Sequence, residues 1–297
     1  MNFIPPFAKG ATVDIINQMD AKILKKLETL KQLLSETKGC AIAYSGGVDS
    51  TFLLTVAYEV LGEKTLAVIA TSSTYPKKEY DQALRWVREK SIPHIVIVSE
   101  ELDIPGFRDN PPNRCYFCKK ELFSRVRQEA LRRGIPHVAD GSNADDTNDY
   151  RPGMLAAREL DVLSPLKSAA LTKNEIRSLS REIYHLPTAD KPAMACLASR
   201  FPYHSTITGE KLHQVESVET FLADHGLYGS RARHHGQILR LELPPDKMAQ
   251  LLESPLREST IKLCKDLGFT YITLDLEGYR AGSLNEVLRE SQKQTDS

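Results

Sequence analysis

The chain has 297 residues, long enough for a substantial core or two domains, and its 41% hydrophobic and 26% charged content, without a long polar tract, implies a globular protein. Its 39 basic residues balance 39 acidic ones, which disfavours a broad nucleic-acid footprint. The opening MNFIPPFAKGATVD has no basic segment followed by an apolar core, and nowhere do about eighteen apolar residues run together, so no membrane partner and a cytoplasmic location are expected.

Apolar residues at helical spacing over 13–36 predict a leading amphipathic helix. Strand-like segments recur at Ala41–Tyr44, Leu66–Ala70, His94–Val98 and His137–Ala139, separated by helical patterns such as Lys77–Lys90 and Lys119–Arg133. This alternation predicts an α/β fold with a doubly wound parallel sheet, whose ligands lie beyond the carboxyl ends of the strands. From about residue 200 the pattern changes. A helix over Gly209–His225, an alternating segment Gln237–Leu243 and a strand Tyr271–Asp275 read as a smaller α+β domain, giving expected units of 1–200 and 201–297.

The stretch AIAYSGGVDS, residues 41–50, combines a buried strand, a glycine turn and a helix start able to face a phosphate. It lacks the lysine of the Walker pattern. Ser-Gly-Gly-Val-Asp-Ser instead is similar to the pyrophosphate (PP) loop of ATP pyrophosphatases.

Five cysteines without a secretory pattern point to metal or thiol chemistry before a disulfide framework. Cys115 and Cys118 form a Cys-x-x-Cys, and Cys196 lies in Ala-Cys-Leu-Ala-Ser-Arg. Three readings compete: a zinc site completed by a histidine such as His204, His234 or His235, a redox dithiol, and a cubane cluster held by three cysteines with one iron open. Cys40 and Cys264 read as small buried hydrophobes.

SGGVDS, NPPNRCYFCKKELF, DGSNADDTNDYRPG, the SPL of residues 164–166, LTKNEIR, DKPAMACLASRFPY, TITGEKL and LDLEGYRAGSLNE follow one another in the order seen in the LarE family, which the chain resembles from about residue 40 to 286. The resemblance implies the adenine nucleotide alpha hydrolase-like (PP-loop) fold. It also implies an ATP-dependent sulfur transferase that converts the carboxylates of pyridinium-3,5-biscarboxylic acid mononucleotide to thiocarboxylates for the nickel-pincer cofactor. A tRNA thiolase of the same superfamily is the rival, disfavoured by the neutral charge.

Carried over residue by residue, the resemblance assigns Ser45, Gly46, Gly47, Asp49 and Ser50 to the PP loop, with Asp49 also a magnesium ligand. Thr71 and Ser72 match the adenine and ribose segment, and Asn143, Asp145, Asp146, Asp149 and Arg151 the acidic motif closing the nucleotide site. Cys196 matches the sulfur-bearing cysteine, Glu219 a residue supporting the reaction, and Arg231 and Arg233 the substrate-phosphate site. Taken singly, the aspartates could cap a turn and the two arginines could line a wet strand face. Some family members sacrifice a single cysteine, whereas others carry three and a [4Fe-4S] cluster. This chain has all three, so the cluster form is expected, with ATP, Mg2+ and [4Fe-4S] as cofactors. Self-association, as a hexamer, is a further implication; the sulfur donor is not indicated.

Overall fold

The computed structural model describes residues 20–148, 152–192, 195–280 and 282–288. The leading helix runs over Ala21–Glu36, started by an Asp20 side chain that accepts from the Lys22 N–H. The expected turns before residue 20 lie outside the described residues.

Four strands form a parallel sheet in the order β3-β2-β1-β4, with β1 at Cys40–Ala43, β2 at Thr65–Thr71, β3 at His94–Val98 and β4 at His137–Ala139. Strand residues alternate between two cores, as side chains on a pleated strand must. Cys40, Ile42, Ala67 and Ile69 join the helices Ala21–Glu36, Val48–Leu61, Lys77–Glu89 and Lys173–Glu182 on one face. Ala41, Leu66, Val68 and Val138 join Val126 and Ala130 of the helix Arg114–Arg132 on the other. The central strands are thus covered on both faces, as the alternating pattern predicts, whereas the edge strand β3 leaves Val96 and Val98 exposed.

A second sheet, β5-β6-β7, comprises Arg231–His235, Ile238–Glu242 and Tyr271–Leu274. The first pair is antiparallel and the second parallel. It packs on the helices Gly209–Asp224 and Leu256–Asp266, forming a smaller C-terminal α+β core. That core also takes in Phe107, Cys118, Leu197 and Phe201 from earlier in the chain. Hydrophobic burial therefore draws the cysteine-bearing segments to the junction of the two sheets. Among the described residues no helix is long and apolar enough to cross a membrane.

Candidate active site

The PP loop connects β1 to the helix Val48–Leu61 at the carboxyl end of the sheet. Gly46 has φ +63°, and a Cβ there would lie 2.8 Å from that of Ala83, so conformation and space both require glycine. Gly47 caps the helix in extended backbone without a side-chain hydrogen bond. Ser45 and Ser50 meet hydroxyl to hydroxyl at 3.1 Å, and the Ser45 N–H donates to Ser50 Oγ at 3.3 Å, closing the loop on itself. Gly141, at the end of β4, approaches so closely that a Cβ would come within 3.0 Å of the Ser50 nitrogen.

Two lysines reach this loop from far along the chain, which the local motif gave no means of foreseeing. Lys173 Nζ pairs with Asp49. Lys191 Nζ donates to the Gly46 carbonyl at 3.1 Å and pairs with Glu79. Burial raises the Asp49 carboxyl above its usual range against the opposing charge of Lys173, and its Oδ1 is buried with no hydrogen-bond partner. An orphaned carboxylate oxygen at a phosphate loop has the chemistry of a magnesium ligand, so the residues fit that ion.

The acidic motif lies beside Asp49 and is organised by its own side chains. Asn143 N–H donates to Asp146 Oδ2 at 2.9 Å, Asp145 N–H to Asn143 Oδ1 at 2.9 Å, and the Lys173 N–H to Asp145 Oδ2 at 2.8 Å. The turn-capping reading is therefore correct for part of each side chain. Asp149 and Arg151 lie outside the described residues.

Thr71 ends β2, and Ser72 opens a turn in which its hydroxyl meets that of Thr74 at 3.2 Å. This turn joins the rim of the parallel sheet to the cysteine-bearing segments. Thr74 carbonyl accepts the Leu197 N–H at 2.8 Å, fixing the residue after Cys196, and Thr74 Oγ1 donates to Glu101 at 3.0 Å. Cys118 Sγ lies 3.7 Å from the other Glu101 oxygen as a donor. Burial, then the nearby charges of Glu101, Cys196 and Cys115, pushes the Cys118 thiol well up.

Cys115 and Cys118 stand three apart in the first turns of the helix Arg114–Arg132, and therefore on one face. The predicted helix was shorter, starting at Lys119; the structure extends it back to include both thiols. Cys115 and Cys196 are exposed, whereas Cys40 and Cys264 are fully buried. Three thiols are the donor type that a sulfur-ligated group takes. Among the described residues, however, no three His, Cys, Asp or Glu side chains are gathered tightly enough to hold a metal ion. His234 does not complete such a set: its ring meets Gln214 Oε1 at 3.1 Å and packs between Phe201 and Phe269.

The stretch carrying Cys196 is clamped by Arg200, only 2% exposed. Arg200 donates to the Ala195 carbonyl at 3.2 Å and the Ser199 hydroxyl at 2.7 Å, and binds Glu219 through two contacts of 2.7 and 2.8 Å. Glu219 also accepts the Ala232 N–H at 2.9 Å, tying the clamp to β5. Both Glu219 oxygens are thus occupied.

Next to this clamp lies a cavity of about 210 Å³ whose walls include Cys115, Arg114, Arg200, Arg231, Arg233 and Arg280. Arg233 donates to Ser199 carbonyl and Glu242, each at 2.7 Å, and its buried Nε has no partner. Arg231 donates to Ser230 carbonyl at 2.9 Å and stacks 4.9 Å from the Tyr279 ring centre. Burial and the charge of Arg200 pull the pKa of Arg231 down. Arg280 pairs with Glu277 and Glu286. Arg231 and Arg233 both line this cavity and are buried, so the wet-strand reading is set aside. Sequence reasoning gave no role to Tyr203 or Tyr279, and read Arg200 only as a charge favouring the thiolate; the wall they share is set by contacts between distant segments.

No family model matches the chain. It is 34% identical over 276 residues to pyridinium-3,5-bisthiocarboxylic acid mononucleotide synthase of Lactiplantibacillus plantarum, covering 93% of this chain and 99% of that protein. It is also 42% identical to an uncharacterized protein of Synechocystis sp., over 89% of this chain and 98% of that one. An uncharacterized protein of Methanocaldococcus jannaschii is 30% identical over 87% and 98% respectively.

Proposed function

Because the chain belongs to the LarE family, that of pyridinium-3,5-bisthiocarboxylic acid mononucleotide synthase, we propose that it is an ATP-dependent sulfur transferase acting on the carboxylates of pyridinium-3,5-biscarboxylic acid mononucleotide in nickel-pincer cofactor biosynthesis. The observation that carries this reading is the double anchorage of the Cys196 stretch. Leu197 is bonded to Thr74 at the sheet rim and Arg200 to Glu219 beside the arginine cavity, so the Cys196 stretch runs from the rim of the parallel sheet to the wall of that cavity, as a thiol serving both would require.

A carboxylate is a poor electrophile because its oxygen leaves badly, and conversion to an acyl-adenylate with release of pyrophosphate removes that barrier. Loop amides with Lys173 and Lys191 nearby oppose the charge growing on pyrophosphate, and Asp49 Oδ1 would hold a magnesium ion, which would add to that charge stabilisation. Thr71, Ser72, Asn143, Asp145 and Asp146 receive the rest of the nucleotide, with Arg151 part of the same motif. Arg231 and Arg233 hold the substrate's phosphate. Glu219 acts through Arg200, keeping the Cys196 backbone in place. Cys115, Cys118 and Cys196 would hold a [4Fe-4S] group, which would supply a carrier for sulfide.

The wider-than-ligating arrangement of the thiols and the exposure of Cys196 favour a second reading. Here the Cys196 thiolate displaces AMP from the acyl-adenylate, and loss of the Cα proton with cleavage of Cβ–S leaves a thiocarboxylate on the product and dehydroalanine in the chain. Both readings describe a cytoplasmic, self-associating enzyme whose residues 201–297 contribute substrate binding and oligomer contacts.

The deciding experiment is anaerobic reconstitution with iron and sulfide followed by thiolation assays with ATP. Iron-dependent multiple turnovers support the cluster form. A single iron-independent turnover, with Cys196 lighter by hydrogen sulfide, supports the sacrificial form. Thiolation by Cys196→Ala defeats both.

A further inference from the structure

Arg114 begins the helix Arg114–Arg132, lines the arginine cavity and is only 4% exposed. Its Nε and Nη1 are buried without a hydrogen-bond partner. No carboxylate pairs with it among the described residues; the Tyr203 ring stands 5.2 Å from its guanidinium carbon. Each of the cavity's other arginines donates to a carboxylate or a carbonyl, as described above. The helix start adds to the same sign, since its first turn has no acidic residue and Asn113 makes no side-chain cap. A buried guanidinium left in this condition calls for an anionic partner from outside the chain.

We propose that Arg114 grips a carboxylate of the substrate and thereby selects a ring bearing two carboxylates over one bearing a single carboxylate. The proposal rests on the sulfur-transfer reading above. A planar guanidinium fork matches a carboxylate through two parallel hydrogen bonds. Arg231 and Arg233 project from β5 of the second sheet, whereas Arg114 projects from a helix packed on the first, so the walls of the cavity can take different anionic groups. Cys115, the next residue, lines the same cavity.

Calorimetric titration with pyridine-3,5-dicarboxylate, pyridine-3-carboxylate and ribose 5-phosphate tests this. The intact protein should bind the dicarboxylate roughly tenfold more tightly than the monocarboxylate, the factor expected of one charged hydrogen-bonded pair. Arg114→Gln should abolish that ratio while ribose 5-phosphate binds within about twofold of before, and Arg231→Gln should do the reverse. A retained ratio in Arg114→Gln, or equal loss of all three ligands, overturns the proposal. If Arg114→Gln does not fold, Arg114→Lys decides: it keeps the charge and loses the fork, so an unchanged ratio overturns the proposal and a severalfold fall upholds it. Failure of the intact protein to bind either pyridine compound or to thiolate the mononucleotide defeats the functional reading itself. Selective binding without thiolation upholds Arg114 and defeats only the reaction assignment.

Discussion

Cysteine illustrates how one residue type is given two fates by its surroundings. Burial pushes Cys40 up to about 12 and Cys264 up to about 11, so both are protonated at neutral pH and closed to reagents. Iodoacetamide on the native protein at pH 8 should therefore modify Cys115 and Cys196 and spare Cys40 and Cys264 until denaturant is added; peptide mass mapping reads this directly. The division was legible beforehand, because Cys40 opens an apolar strand and Cys264 sits in an amphipathic helix. The occupation of Glu219 was not legible, because its partner Arg200 comes from another segment. Breaking this buried pair with Glu219→Ala should cost ~3 kcal/mol in urea denaturation and depress thiolation, with Glu219→Gln milder on both counts. Pyrophosphate release should respond less than thiolation, since the clamp lies on the cysteine side.

At the scale of elements, the parallel sheet followed closely from apolar runs alternating with helical patterns, since β1 and β2 are buried along most of their length and the edge strand β3 keeps its apolar sequence although Val96 and Val98 are exposed. The helix Arg114–Arg132 was read short because Cys-Tyr-Phe-Cys gives weak local helix signals, and packing of Phe123, Val126 and Ala130 supplies what propensity lacks. The helix Lys173–Glu182 begins with a capping box between Thr172 and Glu175 that the sequence displays as Thr-Lys-Asn-Glu, yet the segment was read only as part of a motif. On β5 the alternation that suggested a wet arginine face also carries His234 into the second core. Burial, followed by the charge of Lys211, lowers His234 below its ordinary 6.5, and burial lowers His235 likewise. The unfolded chain thus takes up protons that the folded chain resists, so stability present above about pH 6.5 is lost as the pH falls. Melting temperature should decline between pH 7 and 5.5, and His234→Gln with His235→Gln should flatten that decline.

Over the whole molecule, the two sheets share one working edge because segments from before and after the first sheet's last strand pack into the second core. Sequence order could suggest which residues gather at the rim of the parallel sheet, but not that Lys173 and Lys191 would stand in for the absent loop lysine, 124 and 145 positions from their partners Asp49 and Gly46. Such pairings are set by tertiary packing and leave no local period to read. Lys191→Met should slow ATP-dependent pyrophosphate release about tenfold, in line with one lost charged hydrogen bond, while leaving circular dichroism unchanged. Lys191 also stands five positions before Cys196. Five extended residues reach at most ~18 Å, so the contact between that lysine and the loop carbonyl makes the intervening chain a leash on the thiol. Because Leu197 is held separately by Thr74, a few residues inserted after Lys191 would slacken only the tie between loop and cysteine, so pyrophosphate release should survive while thiolation falls out of step with it.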